Sequence, residues 1–175
     1  MRKVVRRLTG RGDRLSPIRF TQHLVPGLFL AVATTTAKAQ GTIAVAGNDS
    51  AMNATIGQAQ ATIAQFIARL EHPPASQTDL GLKVRLTDGE QIEHVWLTDV
   101  RHEGNRFTGR INNDIEHLHK YHMGDSVAVT LRQVSDWLAV DGGQLIGGYS
   151  IRLLRSRMSP AEREAFDRQV PFRVE

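Results

Sequence analysis

The chain has 175 residues, no cysteine, 41% hydrophobic residues and a formal charge of +4. These figures fit one domain with an ordinary core, and they exclude disulfide bonds, thiol nucleophiles and cysteine metal ligands. Of 22 basic and 18 acidic residues, eight and one lie in residues 1–39, leaving 14 and 17 in the remainder, a net of −3. Basicity belongs to the leader, so no nucleic-acid partner is expected.

The leader comes first. Basic residues from Arg2 to Arg19 precede the apolar run Leu24–Ala33, and Ala37-Lys38-Ala39 has the small-x-small form that signal peptidases accept. Residues 1–39 therefore read as a signal peptide cleaved after Ala39, with export to the periplasm. The competing reading is an inner-membrane signal anchor. The uncharged run Phe20–Ala37 is barely long enough to span, and Pro26 and Gly27 interrupt it. Membrane contact is expected only through this leader, if it is uncleaved. Residues 40–50 form a lead-in.

Met52, Ile56, Ala59, Ile63, Phe66, Ile67 and Leu70 then recur at steps of three and four, the period of one helix face. Asp49 or Ser50 can cap this helix, and Pro73-Pro74 ends it. Next, Leu80, Leu82, Val84 and Leu86 alternate with Lys83, Arg85 and Thr87, which predicts a half-buried strand. Asp88-Gly89 predicts a tight turn into a second strand, Gln91–Val100. "RFTGRIN" is a third strand, and Asp125–Val140 is either one bent strand or two short ones. After the turn Asp141-Gly142-Gly143, Gln144–Leu154 reads as the last strand, with the glycines of "GGYS" marking a bulge. Ser159, Pro160 and Glu162 match the cap, first position and capping box of a short final helix.

The expected fold is α+β: a curled, mostly antiparallel sheet of about five strands, an N-terminal amphipathic helix and a short C-terminal helix. Residues 51–157 form a single domain, and residues 158–175 form the C-terminal helix and tail.

Five motifs in register, "EHVWLTDV", "FTGRINN", "MGDSVAV", "VSDWLAV" and "GGYSIRLL", resemble the YegJ-like bacterial family called domain of unknown function 2314. The resemblance spans roughly Ala51 to Arg155. It implies an exported or envelope-associated bacterial protein with a compact α+β domain, and it implies no activity.

Three stretches are candidates for chemistry. His117, His119 and His122 crowd into "HLHKYH". On a helix His119 and His122 share a face without His117, and on a strand His117 and His119 share one without His122. Neither geometry gathers three ligands, so a polar connector is expected, with no metal and no cofactor. In "EHVW", strand alternation puts His94 and Trp96 on one face with Ile92, and Glu93 on the other with Val95 and Leu97. A buried Glu93 is expected to bond backbone amides or an arginine such as Arg110 or Arg152. In "SDW", Asp136 can accept from Ser135 or cap a bend, and Trp137 supplies a large apolar surface. No phosphate loop, GxSxG elbow or HExxH occurs.

The expected function is a non-enzymatic periplasmic module that binds a protein or peptide, one concrete form being an immunity- or inhibitor-type protein. Its surface would be the face carrying His94, Trp96, Trp137 and Tyr149, with Glu93 and Asp136 as polar contributors. The alternative is a small envelope hydrolase using Glu93, His94 and Asp136, which requires the three to converge.

Overall fold

A computed structural model describes residues 49–175. The leader and most of the lead-in, residues 1–48, lie outside the described residues. Two helices, α1 (Ser50–Ala61) and α2 (Ile63–Glu71), occupy the span where the periodicity predicts one. Asp49 caps α1, its carboxylate accepting from the Ala51 and Met52 amides at 3.1 Å each. Thr62 stands at the break with φ −103° and ψ 8°, outside the helical basin.

Six strands follow: β1 (Gln77–Asp88), β2 (Gln91–Glu103), β3 (Arg106–Ile111), β4 (Ser126–Thr130), β5 (Val134–Asp141) and β6 (Gln144–Gly147). They form one antiparallel sheet in the order β4-β3-β2-β1-β5-β6, which does not close into a barrel. The two short strands β4 and β5 are separated by a 3-10 turn, Leu131–Gln133, in which Thr130 and Gln133 cap each other. After β6 the chain forms α3 (Tyr149–Arg157) and α4 (Pro160–Gln169). Ser159 and Glu162 make the capping box of α4 that the sequence predicts.

The last predicted strand is corrected: it stops at Gly147, and Tyr149–Arg157 is helical. Gly147 and Gly148 both take left-handed backbone, φ 67° and 62°, which turns the chain out of the ladder. Neither tolerates a side chain. A Cβ on Gly147 would stand 2.5 Å from the Trp137 carbonyl oxygen, and one on Gly148 would stand 2.7 Å from Leu145.

Strand alternation divides the apolar residues between two faces. Leu82, Val84, Val95, Leu97, Phe107, Val129 and Trp137 point to the face covered by α1 and α2, where Ala59 and Phe66 are fully buried. Phe66 meets Phe107 edge-on at 6.2 Å and Trp137 at 6.1 Å. Burying a phenylalanine such as Phe66 stabilises the fold by about 2–3 kcal/mol. The opposite face carries a smaller cluster of Trp96, Leu138, Val140 and Leu145, closed by Phe172 from the tail. At the β6 end α3 reaches both clusters, Tyr149 packing on the first and Ile151 on the second. Among the described residues no helix is long and apolar enough to cross a membrane.

Candidate functional site

The pairing of β1 with its two neighbours fixes which side chains share a face. Lys83 lies opposite Trp96 on β2 and opposite Asp136 on β5, while Arg85 lies opposite His94. These residues therefore point to the face away from α1 and α2. Leu86 lies opposite Glu93 and Leu82 opposite Trp137, so both of those point to the helix-covered face.

The candidate site is a strip of Lys83, Arg85, His94 and Trp96. Lys83 is half-buried, with its Nζ 5.6 Å from the centre of the Trp96 ring, within cation–π range. Burial pushes the Lys83 ammonium down, and the field of Asp136 pulls it back. His94 is held down at about 4, by burial first and then by Lys83 and Arg85. Its imidazole is therefore neutral at pH 7. Arg85 is exposed. None of the ion pairs among the described residues includes Lys83, Arg85 or His94. Chemically the strip sets the exposed Arg85 and the half-buried Lys83 beside a neutral imidazole and over a buried indole, a surface suited to a carboxylate-bearing partner.

Asp136 is the carboxylate nearest in register, and its oxygens are already engaged. Oδ1 accepts from the Trp137 amide at 2.8 Å and the Tyr149 amide at 3.1 Å. Oδ2 accepts from the Ser150 amide at 2.8 Å and the Ser150 hydroxyl at 2.6 Å. Burial pushes the carboxyl up, while the Ser150 bonds, Lys83 and the Trp137 amide pull it back. Four donors and a facing ammonium favour the carboxylate. Asp136 thus caps α3 from a neighbouring strand, in place of Gly148, which has no side chain to do so.

Glu93 works on the other face. Its carboxylate accepts from the Glu116 amide at 3.1 and 3.2 Å and from the His117 amide at 3.0 Å. With Leu118 buried in the core, this pins the connector between β3 and β4. His117, His119 and His122 are all exposed on it. His117 lies 3.8 Å from Glu116 and His122 3.6 Å from Asp125. Among the described residues no group of three His, Asp or Glu side chains is placed to hold a metal ion.

Two expectations are corrected. Glu93 and Asp136 lie on opposite faces of the sheet, so Glu93, His94 and Asp136 do not converge as a hydrolase would need. Trp137 is fully buried, so no exposed face carries His94, Trp96, Trp137 and Tyr149 together. Instead the Trp137 indole nitrogen donates to Thr62 Oγ1 at 3.0 Å, and the Tyr149 hydroxyl donates to the same oxygen at 2.8 Å. Thr62 in turn donates to the Gln58 carbonyl at 2.8 Å. Sequence reasoning gave no role to Thr62, nor to Asn113, which is fully buried and accepts from the Trp96 amide at 2.7 Å. A threonine at a helix break carries no distinctive signal, whereas the polar run "NND" beside a strand end does suggest side-chain to backbone bonding. Lys83 also escaped notice as a site residue, because alternation alone reads it as solvated.

The family model described as "Uncharacterized protein conserved in bacteria (DUF2314)" matches residues 49–173. Among curated relatives, a putative ankyrin repeat protein of Neisseria meningitidis serogroup B is 36% identical over 80 residues, covering 46% of this chain and 32% of that protein. The Escherichia coli K12 protein YegJ, described as uncharacterized, is 31% identical over 111 residues, covering 63% of this chain and 71% of its own length. The chain thus spans about a third of the Neisseria relative. No solved structure matches.

Proposed function

The chain belongs to the bacterial DUF2314 family, and on that premise we propose that it is a non-enzymatic binding module, exported to the periplasm, whose strip of Lys83, Arg85, His94 and Trp96 takes an acidic segment of a protein or peptide. One observation carries the reading: Lys83, Arg85 and His94 share one sheet face with Trp96, and the exposed Arg85 guanidinium has no ion-pair partner among the described residues. An exposed cation steers a partner of the opposite sign, and the half-buried Lys83 adds to the same field. An immunity- or inhibitor-type protein that neutralises an envelope enzyme is one concrete form of this role. The leader of residues 1–39 supports export.

The test is affinity purification of the tagged chain from its native envelope fraction, with Arg85→Glu run in parallel. The reading requires a partner in constant ratio with the parent and its loss with the folded variant. Retention of the same partner at the same ratio by Arg85→Glu would sink it. A bait peptide beginning at Gln40 establishes cleavage, whereas a bait that begins upstream of it favours the anchor.

A further inference from the structure

The two edges of the sheet end differently. β6 is closed by the tail: the Leu145 amide donates to the Arg173 carbonyl at 2.9 Å, and the Arg173 amide donates to the Gly143 carbonyl at 2.8 Å. β4 has no such cover among the described residues. The Ile111 amide donates to the Asp125 carbonyl at 2.9 Å, which sets the phase of the β3–β4 ladder. Asp125, Val127 and Val129 bond inward, so the amides and carbonyls of Ser126 and Ala128 point outward. The next outward amide, that of Thr130, is taken by Gln133 Oε1 at 3.0 Å. β4 carries neither a charge nor a proline, two residue types that commonly guard an exposed edge. Moreover, of three large hydrophobics exposed among the described residues, Met123 (45%) and Leu131 (39%) flank this strand.

We propose that β4 pairs antiparallel with β4 of a second copy of this chain, about a two-fold axis at Val127, joining two sheets into one. The occupant is a second copy because the edge is self-complementary. About Val127, the Ser126 amide meets the Ala128 carbonyl of the other copy, and the Ala128 amide meets its Ser126 carbonyl. The two-fold repeats both bonds, so every outward group of Ser126 and Ala128 is used and the engaged Thr130 amide is not needed. The same axis turns the segment that carries Met123 of each copy toward the 3-10 turn that carries Leu131 of the other. Charge agrees as well, since Asp125 and the exposed Arg132 come to the same end of the paired strands with opposite sign. The surface is separate from the basic strip, so its failure would leave the binding reading untouched.

Sedimentation velocity of the full chain over a concentration series tests the pairing. The parent is expected to pass from monomer to dimer as concentration rises. Ala128→Pro deletes one outward donor, and Leu131→Glu sets a carboxylate beside Asp125 of the other copy. Each is expected to weaken dimerisation by about tenfold or more while circular dichroism remains that of the parent. If Ala128→Pro fails to fold, Leu131→Glu decides, since it leaves the backbone intact. A parent that stays monomeric throughout, or folded variants that dimerise as the parent does, overturns the proposal.

Discussion

Asp136 and Ser150 are joined twice, the Ser150 amide at 2.8 Å and its hydroxyl at 2.6 Å both donating to Asp136 Oδ2. The pair ties β5 to the first turn of α3. Without it, the leading amides of that helix would be buried without acceptors, and its positive end would face no charge.

Asp136→Asn keeps the shape but replaces one accepting oxygen with a donor that faces N–H groups. The expected loss of stability is about 2–3 kcal/mol, read from urea unfolding at neutral pH. A change within the error of the parent curve would show that α3 does not depend on this cap.

Gly147 lies against Trp137, with left-handed backbone at φ 67° and room for no Cβ. Gly147→Ala adds a steric conflict with the Trp137 carbonyl to an unfavourable backbone, and about 3 kcal/mol of destabilisation is expected. Thermal unfolding checks it. An unshifted midpoint would mean that the β6–α3 junction can relax.

His94 makes stability depend on pH in a stated direction. Its folded value is about 4 against an ordinary 6.5. Below pH 6.5 the unfolded chain takes a proton that the folded chain refuses, so stability falls from there until about pH 4. Allowing for its partial exposure, the loss is about 1–2 kcal/mol. His94→Gln should flatten that part of the profile. Parent and variant profiles of equal slope across this window would contradict the assignment.

Glu93 holds the amides of Glu116 and His117. Glu93→Ala should leave the sheet in place but release the connector, at a cost of about 1–3 kcal/mol. Hydrogen exchange at those two amides should accelerate well beyond that of β2. Unchanged protection there would show that Leu118 alone anchors the segment.

Several elements were readable because local rules suffice to make them. The alternation Leu80 to Leu86, the turn at Gly89 with φ 58°, and the capping box of Ser159 and Glu162 all appear as the residues suggest. The errors arose where distant groups decide the outcome. Ile151, Leu153 and Leu154 carry enough apolar character for a strand, yet the residue that starts a helix there is Asp136, a neighbour only after the sheet has formed. Trp96 and Trp137 both look like surface aromatics, but their faces depend on pairing. Trp96 lies opposite Lys83 and Trp137 opposite Leu82, adjacent positions of β1, so the two rings point opposite ways. The basic strip was half legible: His94 and Trp96 follow from alternation, whereas Lys83 and Arg85 join them only through the β1–β2 register.

The central place of β1 has a kinetic consequence. β2 follows it at once through a short turn, but its other neighbour, β5, is synthesised only after β3, β4 and their connector. Leu82 must wait for Trp137, so the slow step in folding is expected to be the docking of β5 against a preformed β1–β4 meander. During that wait the outer backbone groups of β1 stand unpaired beside Leu80, Leu82 and Val84. Such an intermediate would associate with its own kind before it finished folding, and refolding yield should fall as protein concentration rises.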